Sequence, residues 1–187
     1  MKRRIEGVAR SEILLFLEET FKVSMTADVS YNGLQFEGAE LVTKIATGVD
    51  ATAEFVGAAV SAEADFALVH HGLFWKGGEW KRIDRFARRL VEIMSAGNMN
   101  LYGLHLPLDM HPEFGNNPIL ARLLGAEVVE PFGDFMNQKV GVLARFSKPL
   151  TPEALKKRIE KAVGPVAHHL PSVTAASETL LQPPPET

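Results

Sequence analysis

The chain has 187 residues, enough to bury one sizeable core, and its 46% hydrophobic and 23% charged residues are the balance of an ordinary globular protein. A net charge of -3 leaves no general basic field, which argues against a nucleic-acid partner. With no cysteine, disulfides and thiolate zinc sites are excluded, so any metal must be held by histidine, carboxylate or water.

Behind Met1-Lys2-Arg3-Arg4 the apolar run from Ile13 to Leu17 is short and flanked by Glu12, Glu18 and Glu19. Such a run serves neither as a signal peptide nor as a membrane span, and together with the missing cysteines it predicts a cytoplasmic protein with no membrane partner. The same stretch reads as a helix capped by Ser11. Asn32-Gly33 marks a turn that leads into a short strand. A strand over Lys44 to Val49 is followed by a helix through Ala59, capped by Asp50 or Thr52. Phe66 to His70 is a second, fully apolar strand, Ile83 to Ala96 a helix ended by Gly97-Asn98, and Asn100 to His105 a third strand.

Asn117-Pro118 starts a further helix that Gly125 ends, Val140 to Phe146 is a fourth strand, and Thr151-Pro152-Glu153 caps a last helix to about Val163. Strands alternating with helices predict an α/β fold with a mixed, largely parallel sheet and helices on both faces. Residues 1–165 are expected to form this domain, and 166–187, with Pro171, Pro183, Pro184 and Pro185, a proline-rich irregular tail.

Four of the six histidines sit in two places, His70-His71 after the second strand and His105 to His111 after the third. Ligands of open α/β sheets collect beyond the carboxyl ends of the strands, and imidazole with carboxylate suits a borderline metal ion. Neighbouring histidines on a strand point to opposite faces, so His70 and His71 serve one metal only if the chain turns, which Gly72 permits, or serve two metals side by side. Pro107 is read as excluding a helix, leaving an extended segment with His105, Asp109 and His111 on one side. Asp109 is the natural carboxylate ligand, and His105 either ligates or orients Asp109 from behind.

These motifs follow one pattern in order: Asn32-Gly33-Leu34-Gln35 with Glu37-Gly38, Thr47-Gly48-Val49, Val69 to Gly77, Asn100 to Asp109, and Gly115-Asn116-Asn117. From about residue 11 to about residue 165 the chain resembles the GTP cyclohydrolase I type 2 homologue family, also called NGG-interacting-factor-three-like proteins. The resemblance implies a dinuclear metal centre in an α/β fold, a ring-shaped hexamer of the chain with itself, and His70, His71 and Asp109 as metal ligands. It implies one or two divalent ions per chain, zinc, manganese, iron or nickel. The activity implied is hydrolytic opening of a purine nucleotide ring by metal-bound hydroxide. The rival expectations are a non-catalytic metal-binding adaptor or regulator built on the ring, and a truncated, inactive fragment.

The family's later His-x-x-x-Glu segment has no counterpart here, since neither His168 nor His169 has a glutamate four residues on. An ending of this composition is what a premature stop or frameshift after about Val166 would produce, with a split gene as the rival. Two weaker features complete the reading. Arg82, Arg85 and Arg89 share a helical face opposite Ile83, Phe86 and Leu90, either a solvated surface or an attractor for a nucleotide triphosphate or nucleic acid. Phe74-Trp75 and Trp80 either stack on a purine or pack near the site, and Asn32, Gln35 and Glu37 line the pocket by resemblance alone.

Overall fold

The computed structural model describes residues 6–77 and 83–165, so the expectations placed on Trp80, Arg82, His168, His169 and the tail from 166 lie outside it. The chain divides between Asp109 and Met110 into two compact units. In the first, β1 (Val8–Ala9), α1 (Arg10–Phe21), β2 (Gly33–Phe36), β3 (Leu41–Val42) and β4 (Ile45–Asp50) precede α2 (Ala53–Ser61). Then come β5 (Phe66–His71), α3 (Arg85–Ala96), β6 (Asn100–Gly103) and the single turn α4 (Leu106–Asp109).

The main sheet has the order β2-β6-β5-β4, with β4, β5 and β6 parallel and β2 antiparallel to β6. The unbroken apolar run of β5 follows from burial on both sides. Ala67 and Val69 pack on Val56, Ala59, Leu90 and Met94 from α2 and α3, while Phe66 packs on the opposite face with Tyr102, Leu104 and Leu17 of α1. The fold is therefore α/β, with a mixed, largely parallel sheet and helices on both faces. Among the described residues, no helix is long and apolar enough to cross a membrane.

Helix starts are decided by which group meets the first free N–H groups. Ser11 does not cap α1: the helix begins at Arg10, directly after β1, and the Arg10 N–H donates to the Glu40 carbonyl at 2.7 Å. Thr52 caps α2, accepting from the Phe55 N–H at 3.1 Å, which leaves Asp50 for another partner. Asp84 caps α3, and the buried stripe is Ala87, Leu90 and Met94. Ile83 and Phe86 consequently stand 67% and 55% exposed, so the expected inward face is inward only at Leu90. Arg85 and Arg89 are exposed on the same helix.

The second unit holds α5 (Asn116–Leu123), the antiparallel pair β7 (Glu127–Phe135) and β8 (Gln138–Arg145), and α6 (Pro152–Val163). β7 went unanticipated because Pro131 and Gly133 interrupt its alternation, yet it pairs only with β8, and proline is tolerated on such an edge. Met136 and Asn137 join the two strands with φ of 50° and 63°, the left-handed pair of a tight hairpin turn. Pro118 lies inside the first turn of α5 rather than at its first position, and Thr151 caps α6 as expected.

One buried amide ties the first unit together. Asn100 is fully buried; its Oδ1 accepts from the Gly38 N–H at 2.8 Å and Arg10 Nη1 at 3.4 Å, and its Nδ2 donates to the carbonyls of Ala39 at 2.8 Å and Asp65 at 3.0 Å. That uses the whole hydrogen-bonding capacity of the amide. Asn100→Ala strands several of these groups without water and is expected to cost about 2–3 kcal/mol. The shift in a urea unfolding midpoint at unchanged slope measures it.

Candidate metal centre

The parallel strands β5 and β6 end side by side, and three imidazoles gather there. Ring centroids lie 4.5 Å apart for His70 and His71, 4.9 Å for His70 and His105, and 5.5 Å for His71 and His105. One potential ligand atom from each of these three histidines lies within 4.8 Å of the others. Strand alternation would send His70 and His71 apart, but the strand ends at His71 and the chain leaves the sheet there.

Each imidazole is oriented through its Nδ1. His70 Nδ1 lies 3.1 Å from the Leu104 carbonyl, His71 Nδ1 lies 2.7 Å from Asp50 Oδ1, and His105 Nδ1 lies 2.9 Å from Asp28 Oδ1. Carbonyl and carboxylate oxygens only accept, so each Nδ1 carries a proton, and in the neutral form of each ring the lone pair is left on Nε2. A second set of acceptors that fixes the tautomer in this way is what metal-binding histidines require.

Asp109 enters through His70, its Oδ2 standing 3.5 Å from His70 Nε2. Burial holds the His70 ring below its ordinary pKa, outweighing the opposing pull of the Asp109 charge. The neutral ring therefore turns a lone pair toward a carboxylate oxygen, two acceptors facing one another. Their spacing is close to the edge of a tetrahedral site, roughly 3.4 Å for metal–ligand bonds of ~2.1 Å.

Asp28 was not singled out in the sequence. It is 1% exposed, and besides His105 it accepts from the Ser30 N–H at 2.9 Å, Asn32 Nδ2 at 2.7 Å and the Leu106 N–H at 2.9 Å. Burial pushes this carboxyl up, but the four donors outweigh it and leave it below its ordinary value. An aspartate two residues before Ser30, able to form an Asx turn, was the one signal available. Asp50 was anticipated only as a cap and instead holds His71.

The segment after β6 is not extended. Leu106–Asp109 form a helical turn in which the N–H groups of Leu108 and Asp109 both donate to the His105 carbonyl, at 3.0 and 3.2 Å. Pro107 is tolerated because a first-turn nitrogen has no intrahelical acceptor to lose. His105 and Asp109 thus share a side as an i, i+4 pair. His111 opens the second unit, its Nδ1 accepting from the Phe114 N–H at 2.9 Å and its ring stacked on Phe114.

Gly72 answers to a neighbour rather than to a left-handed turn, since its φ is not positive. A Cβ there would collide with the Gln35 amide, which accepts from the Leu73 N–H at 2.5 Å and donates to the Tyr31 carbonyl at 2.6 Å. Asn32 braces His105 directly, accepting from its N–H at 2.6 Å. Glu37 pairs with Arg10 instead of facing the cluster. Trp75 closes one side, its ring centroid 5.0 Å from His105 and 5.8 Å from His71.

Over residues 8–180 the chain matches the family model described as DUF34/NIF3 (NGG1p interacting factor 3). It is 46% identical over 140 residues to a GTP cyclohydrolase 1 type 2 homolog from Pyrococcus horikoshii, covering 75% of this chain and 55% of that protein. To one from Archaeoglobus fulgidus it is 39% identical over 153 residues, 82% of this chain and 62% of the relative. A solved structure described as protein ybgI, unknown function, superposes with a TM-score of 0.77 at 37% identity over 84% of this chain and 61% of that one. The chain thus spans between half and two thirds of the length of these relatives.

Asp28→Asn keeps the shape of the brace but removes the charge holding His105, and is expected to weaken metal binding about 10–100-fold in competition with a chromophoric chelator. Acid should destabilise the metal-free protein in two windows. Because His70 is harder to protonate when folded, stability is intact above about pH 6.5 and falls as pH drops from there toward the lowered folded value. Asp28, depressed when folded, contributes stability above about pH 4 that is lost as pH falls through its folded value. Urea midpoints between pH 8 and 3 resolve both, and His70→Gln should remove the upper window alone.

Proposed function

The chain belongs to the DUF34/NIF3 family, and on that premise we propose that it binds divalent metal at His70, His71 and Asp109, with His105 beside them, to hydrolyse the ring of a purine nucleotide. The observation that carries the metal is the 3.5 Å approach of a neutral His70 Nε2 to Asp109 Oδ2, two lone pairs for which a cation is the natural third party. Three imidazoles and a carboxylate suit zinc, manganese, iron or nickel, in one or two ions per chain. A bound ion supplies Lewis acidity and brings the pKa of a coordinated water toward neutrality.

The chain's own groups do the rest. Asp28, Asp50 and the Leu104 carbonyl hold the three Nδ1–H groups, so that each ring presents the same nitrogen inward. Asp109, on the turn that His105 begins, sets carboxylate against imidazole. The relatives' shared name, GTP cyclohydrolase 1 type 2 homolog, supplies the purine ring as substrate. The same reading has the chain assembling with itself into a ring of six, an arrangement supported by the exposed Leu15, Phe16, Ile45 and Val49 along α1 and the free edge of β4.

Purified chain equilibrated with each of the four metals is expected to retain at least one ion per chain by elemental analysis. His70→Ala should lose it, and the loaded wild type should consume GTP. Metal retention without turnover under any of the four metals overturns the hydrolase and leaves a metal-binding adaptor; no retention overturns the metal centre itself.

A further inference from the structure

A groove of about 460 Å³ runs away from the histidine cluster, walled by Ala51, Leu73, Trp75 and Phe86 and ending at His71 and Asp50. This volume falls within the usual range of small-molecule sites. Its two aromatic walls call for separate explanations. Trp75 is fixed by its Nε1–H, which donates to the Gly72 carbonyl at 3.1 Å, so the indole plane is held beside the cluster. Phe86 is 55% exposed on the first turn of α3, whose core contacts are made by Ala87, Leu90 and Met94. Nothing in the packing of α3 asks for a phenyl ring at that position.

The polarity of the groove is equally one-sided. Its apolar walls lead to a polar end where His71 and Asp50 stand, and Thr52 beside Asp50 also lines it. Among the described residues that line it there is no lysine or arginine, and Asp50 is an anion. Its described lining thus offers a polyphosphate no cationic side chain. It does have flat, polarisable walls and a polar terminus, the features that recognise a planar ring with heteroatoms along one edge.

We propose that this groove is a ring-binding subsite in which Trp75 and Phe86 hold a heteroaromatic base with its polar edge toward His71, the phosphates contributing little. The subsite rests on the metal-centre reading and extends it. It assigns recognition to the base, so that a nucleoside binds as its triphosphate does, and it gives the exposed Phe86 a task.

The test is calorimetric titration of the full, zinc-loaded chain with guanosine, GTP and tripolyphosphate, with zinc content measured for every sample. Guanosine and GTP should bind with similar affinity and tripolyphosphate should not displace guanosine. Phe86→Ala should weaken guanosine roughly tenfold, the scale of one lost base–aromatic stack, while Phe86→Tyr restores it and zinc content stays constant. Being exposed, Phe86 can be truncated without emptying the core. GTP binding without guanosine binding, displacement by tripolyphosphate, or an unaltered Phe86→Ala variant, each at full zinc content, overturns the subsite alone. If the wild type takes up no zinc, and none of manganese, iron or nickel either, the metal-centre reading fails instead. Guanosine titrated into that zinc-free chain then decides the groove by the same dependence on Phe86.

Discussion

The site depends on one buried charge. Removing a carboxylate from water costs several kcal/mol unless its oxygens are fully matched, and Asp28 is tolerated at 1% exposure because four donors converge on it. Those donors come from its own loop and from the chain about eighty residues later, at His105 and Leu106. The single anion therefore closes the loop before β2 onto the end of β6, and it does so through the ring that must be aimed. Take the carboxylate away and two backbone N–H groups, a side-chain amide and an imidazole lose their acceptor together. This loop is less a connection between α1 and β2 than the back wall of the cluster.

The same logic is spread over the other two rings. His70 is held by a main-chain carbonyl at the end of β6, His71 by the last residue of β4, and His105 by Asp28. Three unrelated places in the chain thus converge on one tautomer. Because the orienting bonds exist before any ligand arrives, the side-chain entropy of three imidazoles is surrendered during folding rather than on binding. The His71–Asp50 pair is the most exposed of the three, and it lines the groove.

Much of the fold was legible, and the reasons differ by element. β5 could be read from its uninterrupted apolar run, and α2 and α6 from Thr52 and Thr151 as caps. The three imidazoles that gather, His70, His71 and His105, stood out in the sequence because histidine is rare there. What escaped the sequence was long-range: Asp28 has no periodic or motif context, and its importance exists only once β6 is laid beside its loop. Pro107 was read too strictly, since its cost depends on where in a helix it falls. Gly72 was given a conformational reason when the Gln35 side chain was the cause, a contact between distant residues that local rules do not see. Ile83 and Phe86 were grouped with Leu90 by period alone, but Ile83 precedes the helix and Phe86 sits on its first turn, so only Leu90 reaches the core.

Asp50 and His71 are register partners in the parallel pairing of β4 with β5. Sliding β4 by one residue would put Val49 or Ala51 there and point the carboxylate to the other face of the sheet. Pairing of the two strands and assembly of the cluster are therefore a single event. A chain with misaligned strands lacks the acceptor that fixes His71. In that sense the alignment of two strands and the aim of one imidazole are settled by the same choice of register.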